Sequence, residues 1–341
     1  MPHFTRWKEF AGMLSPHTLY AHMGQAHQGS LLMQAGPLHV IRSCVPGNTW
    51  DMAPQLRYLK LNLTYEPLGM ISLRRFEVIP WFQLTHLTIE THHPDIALQI
   101  LQYARKIECF ELCTATTLIF GLRPEITSFL DLEDPLHIIH PTMLSMSMTT
   151  ASGSDSSARL ISNLTLPALQ NLDVAQDLDG PVGALALVKR SQCSLLSLKI
   201  LGCQSTPHVA SLLRVTPALE ELNIHSRDTS ILHLLNLNNL SGMELVPKLR
   251  SLDITIGRMT TDSIGMEDFL AMLESRWTPE DGPRKPSSGL SKLKHVTLVC
   301  VYSTNLTNEI LGRLKKLIRE GMDITILCDR LSTPYDRIRL L

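Results

Sequence analysis

The segment Pro80–Glu90, PWFQLTHLTIE, sets Leu84, Leu87 and Ile89 in the spacing LxxLxL, and that spacing returns along most of the chain. It stands at Leu56, Leu59, Leu61, at Ile107, Phe110, Leu112, and with methionines in the leucine positions at Met143, Met146, Met148. Later copies are Leu169, Leu172, Val174; Leu195, Leu198, Ile200; Leu219, Leu222, Ile224; Leu249, Leu252, Ile254; and Leu293, Val296, Leu298, before a last apolar strand through Ile324 and Ile326. In each copy the final apolar residues alternate with polar ones, the period of a strand with one buried face. Copies recur mostly every 23 to 30 residues, roughly the length of a strand plus a return segment. A unit of that size cannot bury its apolar face alone, so it must stack on its neighbours.

The pattern reads as a leucine-rich repeat: an α/β leucine-rich-repeat solenoid, a horseshoe with parallel strands on the concave face and helices on the convex face. A solenoid also accommodates 341 residues without a second globular core, because its core lengthens with the chain. The competing reading, a nucleotide-binding α/β sheet, requires glycine-rich turns after strands, and no strand end carries GxGxxG or GxxxxGK[ST].

Between strands the apolar spacing turns helical. In DIALQILQYARK, Ile96, Ile100 and Tyr103 fall on one face behind Pro94, a favoured first helical residue. Further helices are expected from Pro181 through Val188, Pro207 through Leu213, Met266 to Trp277, and Thr307 to Glu320, with Gly321 as a left-handed stop. Residues 1–50 carry no clear repeat and are expected to form an irregular, helical lead-in or cap, with residues 51–341 as the repeat domain. Irregular loops are expected near 114–141 and 278–289, and a flexible surface loop over Thr149–Ser157.

Composition narrows the function classes. Basic and acidic residues number 31 and 32, which leaves no electrostatic footprint for nucleic acid or an anionic membrane. Neither a signal peptide nor a run of about 18 apolar residues is present, and seven scattered cysteines suit a reducing compartment. The expectation is a soluble cytoplasmic or nuclear protein.

In order along the chain, MAPQLRYLKL (52–61), IPWFQLTHLTIE (79–90), DIALQILQYARKIECFEL (95–112), LPALQNLDV (166–174), LVPKLRSLDI (245–254), FLAMLESRW (269–277) and EGMDITI (320–326) resemble the leucine-rich-repeat F-box proteins of mushroom-forming fungi. The resemblance implies a substrate receptor of a cullin ubiquitin ligase, with the repeats holding the target. Nothing in residues 1–50 matches an F-box, while RWKEF (6–10) resembles the segment that follows one. Docking to a Skp-type adaptor is therefore expected only if an F-box lies upstream. The alternative is a stand-alone repeat scaffold or decoy with no ubiquitin link.

If the leucines face the core, alternation turns the intervening residues outward in three columns. The central column runs Lys60, Thr88, Glu111, Ser147, Asp173, Lys199, Asn223, Asp253, Thr297; Tyr58, His86, Cys109, Ser145, Asn171, Ser197, Glu221, Ser251, His295 flank it on one side. On the other side run Asn62, Glu90, Cys113, Thr149, Ala175, Leu201, His225, Thr255, Val299. Acids outnumber Lys and Arg there, so a polar or basic protein segment is the expected partner. Lys60, Thr88, Glu111, Asp173, Lys199, Glu221, Asn223 and Asp253 are the candidate protein-binding residues.

No catalytic residue, metal or cofactor is expected. Cys109 and Cys113 lie four residues apart, about 13 Å along a strand, whereas two thiolates on one zinc lie within about 4.6 Å. His92, His93, His137 and His140 are assigned to loops, and no GxSxG, HExxH or papain-like cysteine context occurs.

Overall fold

The computed structural model describes residues 9–10, 56–63, 79–91, 94–114, 137–150, 155–175, 180–203, 206–226, 229–238, 245–257, 264–277, 290–300, 307–328 and 336–338. They fall into two compact units, Met1–Leu169 and Gln170–Leu341. Both are α/β, built on a mainly parallel sheet.

In the first unit the sheet contains β1 (Glu9–Phe10), β2 (Tyr58–Asn62), β3 (His86–Thr91), β4 (Cys109–Thr114) and β6 (Ser145–Thr150), each parallel to the one before it in this order. Helix α1 (Pro94–Tyr103) joins β3 to β4. A separate parallel pair, β5 (Ile138–Ile139) with β7 (Leu164–Thr165), lies off this sheet, and α2 (Asp155–Ser162) leads into β7.

The second unit runs β8 (Asn171–Ala175), α3 (Gly180–Ser191), β9 (Ser197–Cys203), α4 (Thr206–Arg214), β10 (Glu221–Ser226), α5 (Ser230–Leu235), β11 (Ser251–Ile256), α6 (Ile264–Trp277), β12 (His295–Cys300), α7 (Asn308–Arg319) and β13 (Asp323–Cys328). Strands β8 to β13 pair in parallel in chain order, and β14 (Asp336–Ile338) closes the edge antiparallel to β13.

The leucine spacing sets the pairing. Leu59, Leu87, Phe110 and Met146 align across the first sheet, and Leu172, Leu198, Leu222, Leu252, Val296 and Ile324 across the second. All ten are buried. Burying each such side chain contributes about 1.5–3 kcal/mol, and slipping one strand by a residue would turn its whole apolar set outward.

A second device fixes where each strand begins. The carbonyl of Arg57 accepts from the amides of Thr85 and His86, Thr85 from Glu108 and Cys109, and Glu108 from Leu144 and Ser145. In the second unit Gln170, Leu196, Glu220 and Arg250 do the same for Leu196 and Ser197, Glu220 and Glu221, Arg250 and Ser251, and Lys294 and His295. One carbonyl thus holds two amides at the same position in successive rows, a repeated local structure beneath the repeated sequence.

Helices close over the apolar face. In α7, Thr307 caps the first turn by accepting from the Ile310 amide at 3.3 Å, Ile310, Leu314 and Leu317 are buried, and Gly321 follows the helix end at φ 102°. Arg313 on its outer side grips Glu267 at 2.6 Å and Glu274 at 2.7 and 2.9 Å on α6.

Several expectations need correction. The helical lead-in contributes strand β1 at Phe10; the rest of residues 1–50 lies outside the described residues. Of the expected loop near 114–141, residues 115–136 also lie outside, while its end forms β5, because Ile138 has a buried site against β7. The expected loop over Thr149–Ser157 ends the strand β6 at Thr150 and begins α2 at Asp155. Tyr103 is exposed at the end of α1 instead of sharing the buried face of Ile96 and Ile100. The loop near 278–289, like His92 and His93, lies outside the described residues. Among the described residues no helix is long and apolar enough to cross a membrane.

Candidate functional site

Because the leucines point inward, the residues between them form the opposite face of each sheet. In the first unit Lys60, Thr88, Glu111 and Ser147 are register partners on successive strands, at a strand spacing of about 4.8 Å. In the second unit Asp173, Lys199, Asn223, Asp253 and Thr297 are aligned in the same way, with Glu221 one pleat away from Asn223. The structure therefore gathers the eight candidate residues into two sets: Lys60, Thr88 and Glu111 on one sheet, and Asp173, Lys199, Glu221, Asn223 and Asp253 on the other.

The first set is tied into its own network. The Lys60 ammonium pairs with Glu90 Oε1, and Asn62 Nδ2 donates to Glu90 Oε2 at 2.8 Å. The Glu90 hydrogen bond holds the Lys60 ammonium above its ordinary pKa. Tyr58 Oη lies 3.4 Å from Thr88 Oγ1, which donates to Glu111 Oε2 at 3.2 Å. The Cys113 thiol reaches Glu111 Oε1 at 3.9 Å and accepts from Thr149 Oγ1 at 3.3 Å. Thr88 is buried by these neighbours. Burial pushes the Cys109 and Cys113 thiols up, so both are held in the weakly nucleophilic form.

The second set divides. Lys199 Nζ donates to Asp173 Oδ2 at 2.9 Å, while Asp173 Oδ1 is buried with no hydrogen-bond partner among the described residues. His295 Nδ1 lies 3.2 Å from Asp323 Oδ2 near the strand entrances. Between these pairs, the side chains of Glu221, Asn223 and Asp253 on β10 and β11 have no hydrogen-bond or ion-pair partner among the described residues. Glu221 is exposed, and Asn223 and Asp253 are half-buried. Of the candidate residues, the two cations, Lys60 in the first unit and Lys199 in the second, are both paired with carboxylates; in the second unit Glu221, Asn223 and Asp253 form a patch of two carboxylates and an amide.

One column is broken. Ala175 faces Leu201, His225 faces Thr255 and Thr255 faces Val299, but Leu201 and His225 are not partners. Gly202 is left-handed at φ 77°, and the register shifts so that Ser226 faces Cys203. A glycine bulge of this kind inserts a residue that spacing alone counts as in line.

His140 lies in the loop that follows β5, as expected, but its side chain is buried, with Nε2 2.9 Å from the Leu101 carbonyl oxygen. His137, at the entrance to β5, lies with Nε2 3.0 Å from Thr165 Oγ1. A separate open cavity of about 320 Å³ is lined by Val188, Gln192, Cys193, Leu195, Thr216 and Pro217, among others, and no candidate face residue lines it. The polar partners of the first sheet could not be read from column positions, because pairing depends on side-chain reach across strands. The sequence signal for it was the run of short donors beside acids: Thr88 beside Glu111, and Asn62 beside Glu90.

No family model matches the chain, and no curated protein matches it. A Bacteroides fragilis protein whose crystal structure came from a structural-genomics programme is similar over 91% of this chain and 81% of its own, with 12% identity and a TM-score of 0.42. A likeness at that level carries no functional argument.

Proposed function

We propose that each unit is a run of leucine-rich repeats, with the strand face concave, and that the face over β10 and β11 binds a protein segment carrying positive charge. Chain-order parallel pairing, the aligned leucines and the repeated two-amide entrance support the repeat reading. The observation that carries the binding reading is the state of Glu221, Asn223 and Asp253: three outward side chains without partners among the described residues, beside face pairs that satisfy one another. Hydrogen-bonding capacity left open on a packed sheet is where a partner gains most, since no internal bond has to be broken to use it.

The class of partner follows from the resemblance. The reading is a substrate receptor like the repeat part of a fungal F-box subunit of a cullin ubiquitin ligase, holding a target protein on the strand face. A stand-alone scaffold or decoy with no ubiquitin link is the second reading. Co-purification with a recombinant Skp-type adaptor separates them. A stoichiometric complex supports the receptor reading for this chain, and its absence supports the scaffold. The binding face is tested independently with a photo-crosslinking residue at Asn223, compared with one at exposed Lys315 on α7. The reading requires adducts at Asn223 that disappear when Glu221 and Asp253 are both changed to Lys.

A further inference from the structure

The imidazole of His140 is almost wholly enclosed in the first unit, at 1% exposure, between the C-terminal part of α1 and the β5–β7 pair. Its Nε2 lies 2.9 Å from the Leu101 carbonyl oxygen, which can only accept, so Nε2 carries a proton, and in the neutral ring the proton sits there. Nδ1 is then a bare lone pair, buried and without a hydrogen-bond partner among the described residues. This geometry favours the neutral ring, because a proton added at Nδ1 would find no acceptor among the described residues.

The surroundings reinforce that preference. The charged group bearing on the ring is Arg105, from the turn after α1; His137, just before β5, is exposed and lies against Thr165 Oγ1, and the inner face of α1 (Ile96, Ala97, Gln99, Ile100, Leu101) and β7 present no titratable side chain. Burial, with the Arg105 guanidinium adding like charge, outweighs the Leu101 hydrogen bond and holds the His140 ring below the ordinary 6.5. The structure it secures is slight. Strand β5 has two residues and meets β7 through the Ile138 amide to the Asn163 carbonyl at 2.8 Å and the His140 amide to the Thr165 carbonyl at 2.9 Å.

We propose that His140 is an acid-sensitive latch: neutral, it fastens β5 to the end of α1, and protonation at Nδ1 releases that seam while the main sheets stay folded. The proton comes from solvent once the seam opens, so opening and proton uptake are one linked equilibrium. The sign follows from the depressed value. The latch contributes its full stability above about pH 6.5 and loses it progressively as pH falls below that. Surface histidines would not behave this way, since their charged form is solvated in both states.

Hydrogen exchange on the full chain at about pH 7.5 and about pH 5, corrected for the intrinsic pH dependence of exchange, tests this. Wild-type amides at Ile138 and His140 should lose protection by up to about thirtyfold, the factor by which an imidazole of ordinary pKa gains protons over that interval, while β9 to β12 hold theirs. His140→Gln, which keeps a donor for Leu101 but cannot titrate, should lose none. Equal losses in wild type and His140→Gln would overturn the latch. Should the variant fail to fold, the wild-type ring decides by NMR titration: a midpoint for His140 below 6.5 upholds the proposal, and one at or above 6.5 overturns it.

Discussion

Lys199 and Asp173 occupy equivalent places on the adjacent strands β9 and β8, and their Nζ and Oδ2 atoms lie 2.9 Å apart. Both side chains are partly exposed, at 40% and 26%, so solvent screens the pair. A double-mutant cycle with Lys199→Met and Asp173→Ala should give a coupling of about 0.5–1 kcal/mol, shrinking at high salt. Urea denaturation at low and high ionic strength measures it; a coupling indistinguishable from zero at low salt would remove the pair from the face.

The inward and outward assignment predicts a sharp contrast on β10. Leu222 is buried between Leu198 and Leu252, so Leu222→Ala should cost about 2–5 kcal/mol and Leu222→Asp should unfold the second unit. Asn223→Ala, one residue on, should stay within about 0.5 kcal/mol of wild type. Thermal melts that ranked them the other way would mean the strand is turned over.

Arg276 gives structural content to the MLESRW segment. Its buried guanidinium donates from Nε to the Leu235 carbonyl at 2.8 Å and from Nη2 to Leu245 at 3.0 Å, with Nη1 3.4 Å from the carbonyl of Val246, a residue at φ 46°. Arg276→Met leaves these carbonyls without that donor and should cost roughly 3 kcal/mol. Lys should rescue little, because an ammonium cannot span three separated oxygens as a planar fork does. Full rescue by Lys in chemical denaturation would mean the charge, not the fork, matters.

Burial pushes the thiols of Cys109, Cys113 and Cys193 above their ordinary 9.0. Alkylation followed by peptide mass spectrometry should therefore be slow at neutral pH and accelerate only in more alkaline solution than a free thiol needs. Rapid labelling of Cys113 near pH 7 would show that burial and the carboxylates of Glu111 and Glu90 do not hold its thiol up.

Sequence reasoning located the buried side of the sheets because that side obeys a short-range rule: leucines two and three residues apart must lie together in a strand. Asp155–Ser162 escaped it, since DSSARLIS opens with small polar residues that also suit a loop, and its apolar residues are confined to Ala158, Leu160 and Ile161, of which Leu160 and Ile161 are buried. The pair β5–β7 escaped it because two residues, Ile138 and Ile139, show no period. On the face the columns were legible and the pairings were not. Lys60 reaches Glu90 one strand over and two residues along, whereas Lys199 reaches Asp173 directly opposite, a difference of rotamer and reach that spacing does not encode.

The central claim, that the face over β10 and β11 receives a partner, is tested most directly by moving the same charge on two sides of the second unit. Asp253→Lys changes that face, and Glu309→Lys changes α7; neither carboxylate has an ion-pair partner among the described residues. Both variants should melt with the wild type, within about 0.5 kcal/mol. With a protein partner recovered through the Asn223 crosslink, binding measured by titration should weaken at least about tenfold for Asp253→Lys and stay unchanged for Glu309→Lys. Unchanged affinity for Asp253→Lys, with loss for Glu309→Lys, would contradict the account and move the interface to the helices.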